Sequence, residues 1–223
     1  MSLWIKICGT TSLGDARLAA EAEADAVGFV FAPSPRRVTA KQVAEITPYL
    51  PAAVEKIGVF VDAPFEEIEA TVRDSGLTGV QLHSGAGPEL AAQLKDCFGE
   101  GLRVLHVVHF GVDAAKLVEA IDRDANVDAV MVDSRTATAV GGTGVAFDWP
   151  AARQTLFQSA DARKRRRVAA GGLTPANVAQ AIATLRPWGV DVVSGVEAAP
   201  GRKDAAKVRA FVANARAASR QSR

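Results

Sequence analysis

Short apolar runs, many of them β-branched, recur eight times along the chain between longer Ala-rich amphipathic stretches, and this alternation constrains the fold more than any other feature. The runs are WIKIC, AVGFVF, EKIGVFV, GVQLH, LRVLHVV, DAVMVD, RVAAG and VDVVSG, each with the length and composition of a strand. Amphipathic segments at Leu13 to Glu23, Ala40 to Tyr49, Phe65 to Ser75, Pro88 to Cys97, Ala114 to Arg123 and Pro175 to Arg186 read as helices, several entered through Thr, Asp or Pro. A last helix is expected from about Asp204 to Ala218. Strand and helix alternating at roughly 28 residues imply right-handed crossovers and a parallel sheet. Eight such units suit a closed barrel, whereas an open doubly wound sheet more often stops at five or six strands. The expectation is one α/β domain over residues 1–223, a single (β/α)8 TIM barrel. No linker or shift of composition divides it.

Composition narrows the partners. At 48% hydrophobic and 23% charged the chain has ample apolar surface for one large core, which excludes a disordered protein. With 26 basic against 25 acidic residues it has no global positive field for nucleic acid or an anionic membrane, so an anionic ligand must be met locally. Lys6 interrupts the first apolar run, so no secretory signal forms, and no stretch approaches the roughly 18 apolar residues of a membrane span. A cytoplasmic protein is expected. Two cysteines, Cys8 and Cys97, rule out a disulfide scaffold, and neither sits in a Cys-x-x-Cys metal pair.

In a (β/α)8 barrel, chemistry is built at the carboxyl ends of the strands. Those ends read Cys8-Gly9, Ala32 to Arg37, Asp62, His83-Ser84, His109, Asp133-Ser134, Gly171-Gly172 and Ser194-Gly195. Alternation puts Lys6 and Cys8 inside if Ile5 and Ile7 face the helices, and in the same way Gln81 with His83 and Met131 with Asp133. Each has a plainer reading: a buried thiol as a small apolar group, an Asp as a helix cap, a His as a satisfied core residue. Cys97 ends a helix, which sends it toward the opposite face from Cys8, in a structural role and out of disulfide reach.

Gly141 to Gly144, Gly171-Gly172 and Ser194-Gly195 follow the sixth, seventh and eighth runs, where bare backbone N–H groups can approach a phosphate. The first cluster lacks the third glycine and the acidic partner of a dinucleotide fingerprint, so a nicotinamide cofactor fits poorly. Arg36 and Arg37 lie at the catalytic end, where a guanidinium can pair with a carboxylate; the plainer reading is a solvated surface pair. The run Arg163 to Arg167 enters the seventh strand from its amino end and reads as a solvated turn at the bottom of the barrel.

Taken in order, these residues resemble the phosphoribosylanthranilate isomerase family of tryptophan biosynthesis. The matching segments are Lys6-Ile7-Cys8-Gly9, Asp25 to Phe31, Ser34-Pro35-Arg36, Gly58 to Val61, Val80 to His83, Asp133-Ser134, Gly141 to Gly144 with Phe147-Asp148-Trp149, Ala170 to Leu173, and Val193 to Glu197 leading to Pro200-Gly201. They span nearly the whole chain. Ser84 departs from the family, which usually has glycine there. The resemblance implies an Amadori rearrangement of N-(5-phosphoribosyl)anthranilate without metal or other cofactor, with Cys8 as base and Asp133 as acid. It implies Arg36 on the anthranilate carboxylate, Asp191 near the sugar, Gln81 and His83 as orienting residues, and Gly142, Thr143, Gly144, Gly171, Gly172, Ser194 and Gly195 around the phosphate. Lys6 either favours the Cys8 thiolate or favours ionised Asp133, two effects of opposite sense. The expected partner is a small phosphosugar met by a monomer or homodimer. Alternatives are a histidine-pathway or dual-substrate aminoaldose isomerase, whose family carries Asp where this chain has Cys8, and a phosphate-binding barrel without catalysis.

Overall fold

A computed structural model describes residues 2–83, 87–111, 113–133, 148–157 and 166–221. Eight parallel strands close into a barrel in sequence order: β1 (Trp4–Ile7), β2 (Ala26–Val30), β3 (Glu55–Val61), β4 (Gly79–His83), β5 (Arg103–His109), β6 (Ala129–Asp133), β7 (Arg166–Ala170) and β8 (Gly189–Val192). Closure is made by β1 against β8, with Lys6 opposite Asp191 and Ile7 opposite Val192. Every strand coincides with one of the eight apolar runs.

Helices α1 (Leu13–Glu21), α3 (Phe65–Ser75), α4 (Pro88–Phe98), α5 (Ala114–Asp122), α7 (Val178–Leu185) and α8 (Ala205–Gln221) match the amphipathic segments. Two units depart from the pattern. The second helix stops early, α2 covering Ala40–Ala44 with a 3-10 turn at Thr47–Tyr49, because Pro48 has no N–H to donate to the preceding turn. In the sixth unit, for which the sequence sets no helix bounds, the described residues hold α6 (Trp149–Ala152) and a π-turn at Arg153–Phe157. Beyond β8 the chain adds a 3-10 turn, Ser194–Val196, and a small antiparallel hairpin of β9 (Glu197–Ala199) and β10 (Arg202–Lys203).

Alternation along the strands separates two cores. Ile5, Ile7, Val80, Leu82, Val130, Val132, Val190 and Val192 pack outward with the helices. Trp4, Ala26, Ile57, Leu105, Val107, Ala129, Met131, Val168 and Ala170 fill the interior. Each strand therefore places its next inward residue nearer the mouth, which brings Lys6 and Cys8, Gln81 and His83, Asp133, and Asp191 into the barrel.

The basic run corrects one expectation. Arg166 and Arg167 do lie at the amino end of β7, but Arg167 is buried, held by Asp122 of α5 at 2.5 Å and by the Leu156 carbonyl at 3.1 Å. Val168 faces the interior, so Arg167 faces outward, and α5 covers that face where solvent was expected. Its neighbour Arg166 lies over the Trp188 ring, 4.7 Å from the centroid.

Candidate active site

At the carboxyl end of β1 the chain turns through Cys8, whose N–H donates to the Val192 carbonyl at 2.9 Å, and then through Gly9 at φ +73°. A side chain at Gly9 would put its Cβ 2.7 Å from Cδ of Arg36, so the arginine stem lies directly over the residue that follows the thiol. Behind Cys8, β2 offers no side chain at Gly28. A Cβ there would stand 2.6 Å from the Cys8 Sγ and 2.9 Å from Cε of Lys6. The thiol and the lysine thus occupy the space that a glycine leaves.

Lys6 is fully buried. An ammonium in such a place must be paired, and its Nζ donates to Asp191 Oδ1 at 2.8 Å and to Gln81 Oε1 at 2.9 Å. Burial opposes its charge, but the Asp191 carboxylate and Cys8 together outweigh it and raise the Lys6 pKa. At Cys8 burial penalises the thiolate and raises its pKa, against the smaller opposing pull of Lys6 and Lys203. Lys6 does favour the thiolate, as one of the two expectations had it, but Asp191 partly cancels its charge. In a Cys97→Ser background, the 240 nm thiolate absorbance of Cys8 is therefore expected to appear at higher pH than that of a free thiol titrated in parallel; a midpoint at or below the free thiol contradicts this.

Asp133 closes β6, buried, opposite His109 of β5 and Ala170 of β7. Around the barrel, β6 is separated from β1 by β7 and β8, so the carboxyl and the thiol sit across the mouth on one rim. Gln81 also reaches His83, with Nε2 to Nε2 at 2.9 Å, and the His83 ring lies 5.9 Å from that of His109. Asp191, expected near the sugar, directs Oδ1 at Lys6.

Two glycine loops face each other. Gly171 and Gly172 adopt φ of +85° and +64°, and a Cβ on Gly195 would come within 1.9 Å of the Leu173 carbonyl oxygen. Only glycine allows the backbone after β8 to pack on the backbone after β7. Gly142, Thr143, Gly144 and Ser84 lie outside the described residues. Arg36 forms a two-pronged pair with Glu197, Nε to Oε1 at 2.8 Å and Nη2 to Oε2 at 2.6 Å. Glu197 entered the sequence reading only as part of a motif, and Lys203, beside it, not at all. Nothing local marks Lys203 in the sequence, where it reads as an ordinary charged residue before the last helix. Cys97 lies in the last turn of α4, outside any disulfide like Cys8, and touches Arg73 and Glu69.

This is a (β/α)8 barrel whose mouth sets a thiol and a carboxyl on one rim with paired glycine loops between them on the ring. Residues 5–214 match the family model described as N-(5'-phosphoribosyl)anthranilate (PRA) isomerase. The chain is 44% identical over 209 residues to the N-(5'-phosphoribosyl)anthranilate isomerase of Pelobacter propionicus, covering 93% of each. The crystal structure of phosphoribosyl anthranilate isomerase from Thermotoga maritima superposes with a TM-score of 0.81 at 35% identity, covering 96% of this chain and 99% of that one. A further phosphoribosyl anthranilate isomerase, solved with reduced 1-(o-carboxyphenylamino)-1-deoxyribulose 5-phosphate, gives a TM-score of 0.78 at 33% identity, covering 96% and 99%. The chain belongs to the phosphoribosylanthranilate isomerase family, enzymes of tryptophan biosynthesis. No helix among the described residues is long and apolar enough to cross a membrane.

Proposed function

We propose that this chain converts N-(5'-phosphoribosyl)anthranilate to 1-(2-carboxyphenylamino)-1-deoxyribulose 5-phosphate with Asp133 as the acid and Cys8 as the base. The observation that carries this reading is the inward placement of a thiol and a carboxyl on opposite sides of one rim. Asp133 protonates the ring oxygen as the C1–O bond opens and the anthranilate nitrogen forms the imine. Cys8 then removes the proton at C2, and the electron pair moves through C1 to nitrogen. The enolamine takes a proton at C1 as its C2 hydroxyl gives one up and becomes the carbonyl, so protons gained and lost cancel, every atom is retained and no electron acceptor is needed.

Both groups must work in the state opposite to their ordinary one. A thiol and a carboxylate hold one proton between them, and so do a thiolate and a carboxylic acid; the two forms differ only in where it sits. For ordinary pKa values near 8.5 and 3.9 the working form lies about 6 kcal/mol above the resting one. Burial of Cys8 enlarges that gap from the thiol side. Bound substrate therefore has to supply the compensation.

In this reading Arg36 receives the anthranilate carboxylate, Gln81 and His83 orient the mouth, and Asp191 reaches the sugar from the oxygen not bound to Lys6. The thiol argues for this substrate over that of the histidine-pathway sister enzymes. The protein would act in the cytoplasm as a monomer or homodimer. The test is loss of anthranilate fluorescence from the substrate: the wild type is expected to turn over, and Arg36→Ala to raise KM at least about tenfold with a smaller change in kcat. Silence from folded wild type would sink the assignment, and an unchanged KM would remove Arg36 from the carboxylate.

A further inference from the structure

The hairpin after β8 ties together three segments of the mouth that are far apart in sequence. Lys203 on β10 is buried, and its Nζ donates to the Cys8 carbonyl at 2.6 Å, the Val193 carbonyl at 3.3 Å and Glu197 Oε1 at 3.3 Å. Opposite it on β9, Glu197 accepts from both prongs of Arg36. The turn between the strands is fastened as well. Thr11 Oγ1 donates to the Gly201 carbonyl at 2.6 Å, and the Gly201 N–H donates to Glu197 Oε1 at 3.3 Å. Gly201, at φ +78°, lies close enough to loop two that an added Cβ would meet the Pro35 carbonyl oxygen at 3.4 Å.

Burying a lysine and a glutamate is costly unless each gains well-formed partners, and a hairpin could have been closed by apolar residues. Here each charged group holds a working part of the site. Lys203 binds the carbonyl of Cys8 itself and that of Val193, next to the Ser194-Gly195 loop. Glu197 sets the plane of the Arg36 guanidinium through two parallel bonds, a geometry that lysine or a single contact would not fix.

We propose that Lys203 and Glu197 are positioning residues of the isomerisation: Lys203 locks the backbone of Cys8 to the loop after β8, and Glu197 aims Arg36, so that base, phosphate loop and carboxylate receptor keep one spacing. This rests on Cys8 as base and Arg36 as receptor. The charged groups around the thiol are Lys6 on its own strand, Asp191 on β8, Lys203 on β10 and Arg36 over Gly9. Of these, Lys203 favours the thiolate alongside Lys6.

Steady-state kinetics across neutral to alkaline pH, with thermal melting, on Lys203→Met, Lys203→Arg and Glu197→Gln test the proposal. Lys203→Met should lose about 100-fold in kcat, the cost of a small misplacement of a reacting group, and the alkaline fall of its kcat/KM, where ionisation of the thiol removes the shared proton, should move to higher pH. Lys203→Arg should bring the fall back. Glu197→Gln should raise KM about tenfold and change kcat by less than about threefold. A Lys203→Met enzyme that melts earlier yet keeps the wild-type pH profile, or a Glu197→Gln enzyme with wild-type KM, overturns the proposal and leaves the pair merely structural. If Lys203→Met fails to fold, the Glu197→Gln split decides. Cys8→Ser and Arg36→Ala run alongside separate the premises: full activity in the first or unchanged KM in the second defeats the base or the receptor assignment, and the proposal with it.

Discussion

Cys8→Ser is expected to lower kcat by about 10²- to 10⁴-fold, the usual worth of a positioned general base, with KM changed far less. The hydroxyl is smaller than the thiol and fits the gap left by Gly28, so the fold and the sugar contacts should survive. Its pKa, however, lies far beyond any working pH. Raising the pH should therefore not rescue the variant, and it should lack the alkaline fall in kcat/KM that the wild type shows where the buried thiol ionises and the shared proton is lost. Loss of anthranilate fluorescence reads the rate, and circular dichroism reads the fold. A folded Cys8→Ser enzyme with near wild-type kcat would return Cys8 to the plainer role of a small buried group.

How much of this site the sequence showed depends on distance along the chain. Alternation within a strand is local, and it correctly placed Lys6, Cys8, Gln81, His83, Met131 and Asp133 inside, because Ile5, Ile7, Leu82, Val130 and Val132 are apolar enough to demand the outer core. Partnership across the barrel is not local. Lys6 finds Asp191 185 residues away, and Lys203 finds Cys8 at a separation of 195. Neither pairing leaves a periodic signal. The reading of Lys6 as a neighbour of the thiol was right in position, but the carboxylate that tempers it belongs to the strand that closes the ring.

Arg167 failed for a related reason. Parity along β7 turns it away from the barrel interior, and in a bare strand that direction means water. In a (β/α)8 fold it means the helix layer, and Asp122 at the end of α5 waits there. The second helix was overextended because its apolar spacing continues through Ile46 and Leu50 while Pro48 interrupts the hydrogen bonds. The hairpin went unread because three-residue and two-residue strands bear no periodicity, and its glutamate and lysine look like surface charges until the loops they hold are known.

Asp133→Asn is expected to reduce kcat by about 10²- to 10⁴-fold as well, since an amide matches the carboxyl in shape and cannot deliver a proton to the ring oxygen. The sharper measurement is the double variant. If acid and base share one proton in the working state, removing either group already empties that state, and Cys8→Ser with Asp133→Asn should be about as slow as the slower single variant. If the two groups act independently, their losses should multiply. Single-turnover fluorescence on the four proteins separates the cases, because it reports ring opening and proton transfer without product release. Near wild-type kcat in folded Asp133→Asn would move the acid role to another group at the mouth. Multiplying losses would keep both roles but break the shared-proton account, and Cys8 and Asp133 would then be adjusted separately, each by its own side of the barrel.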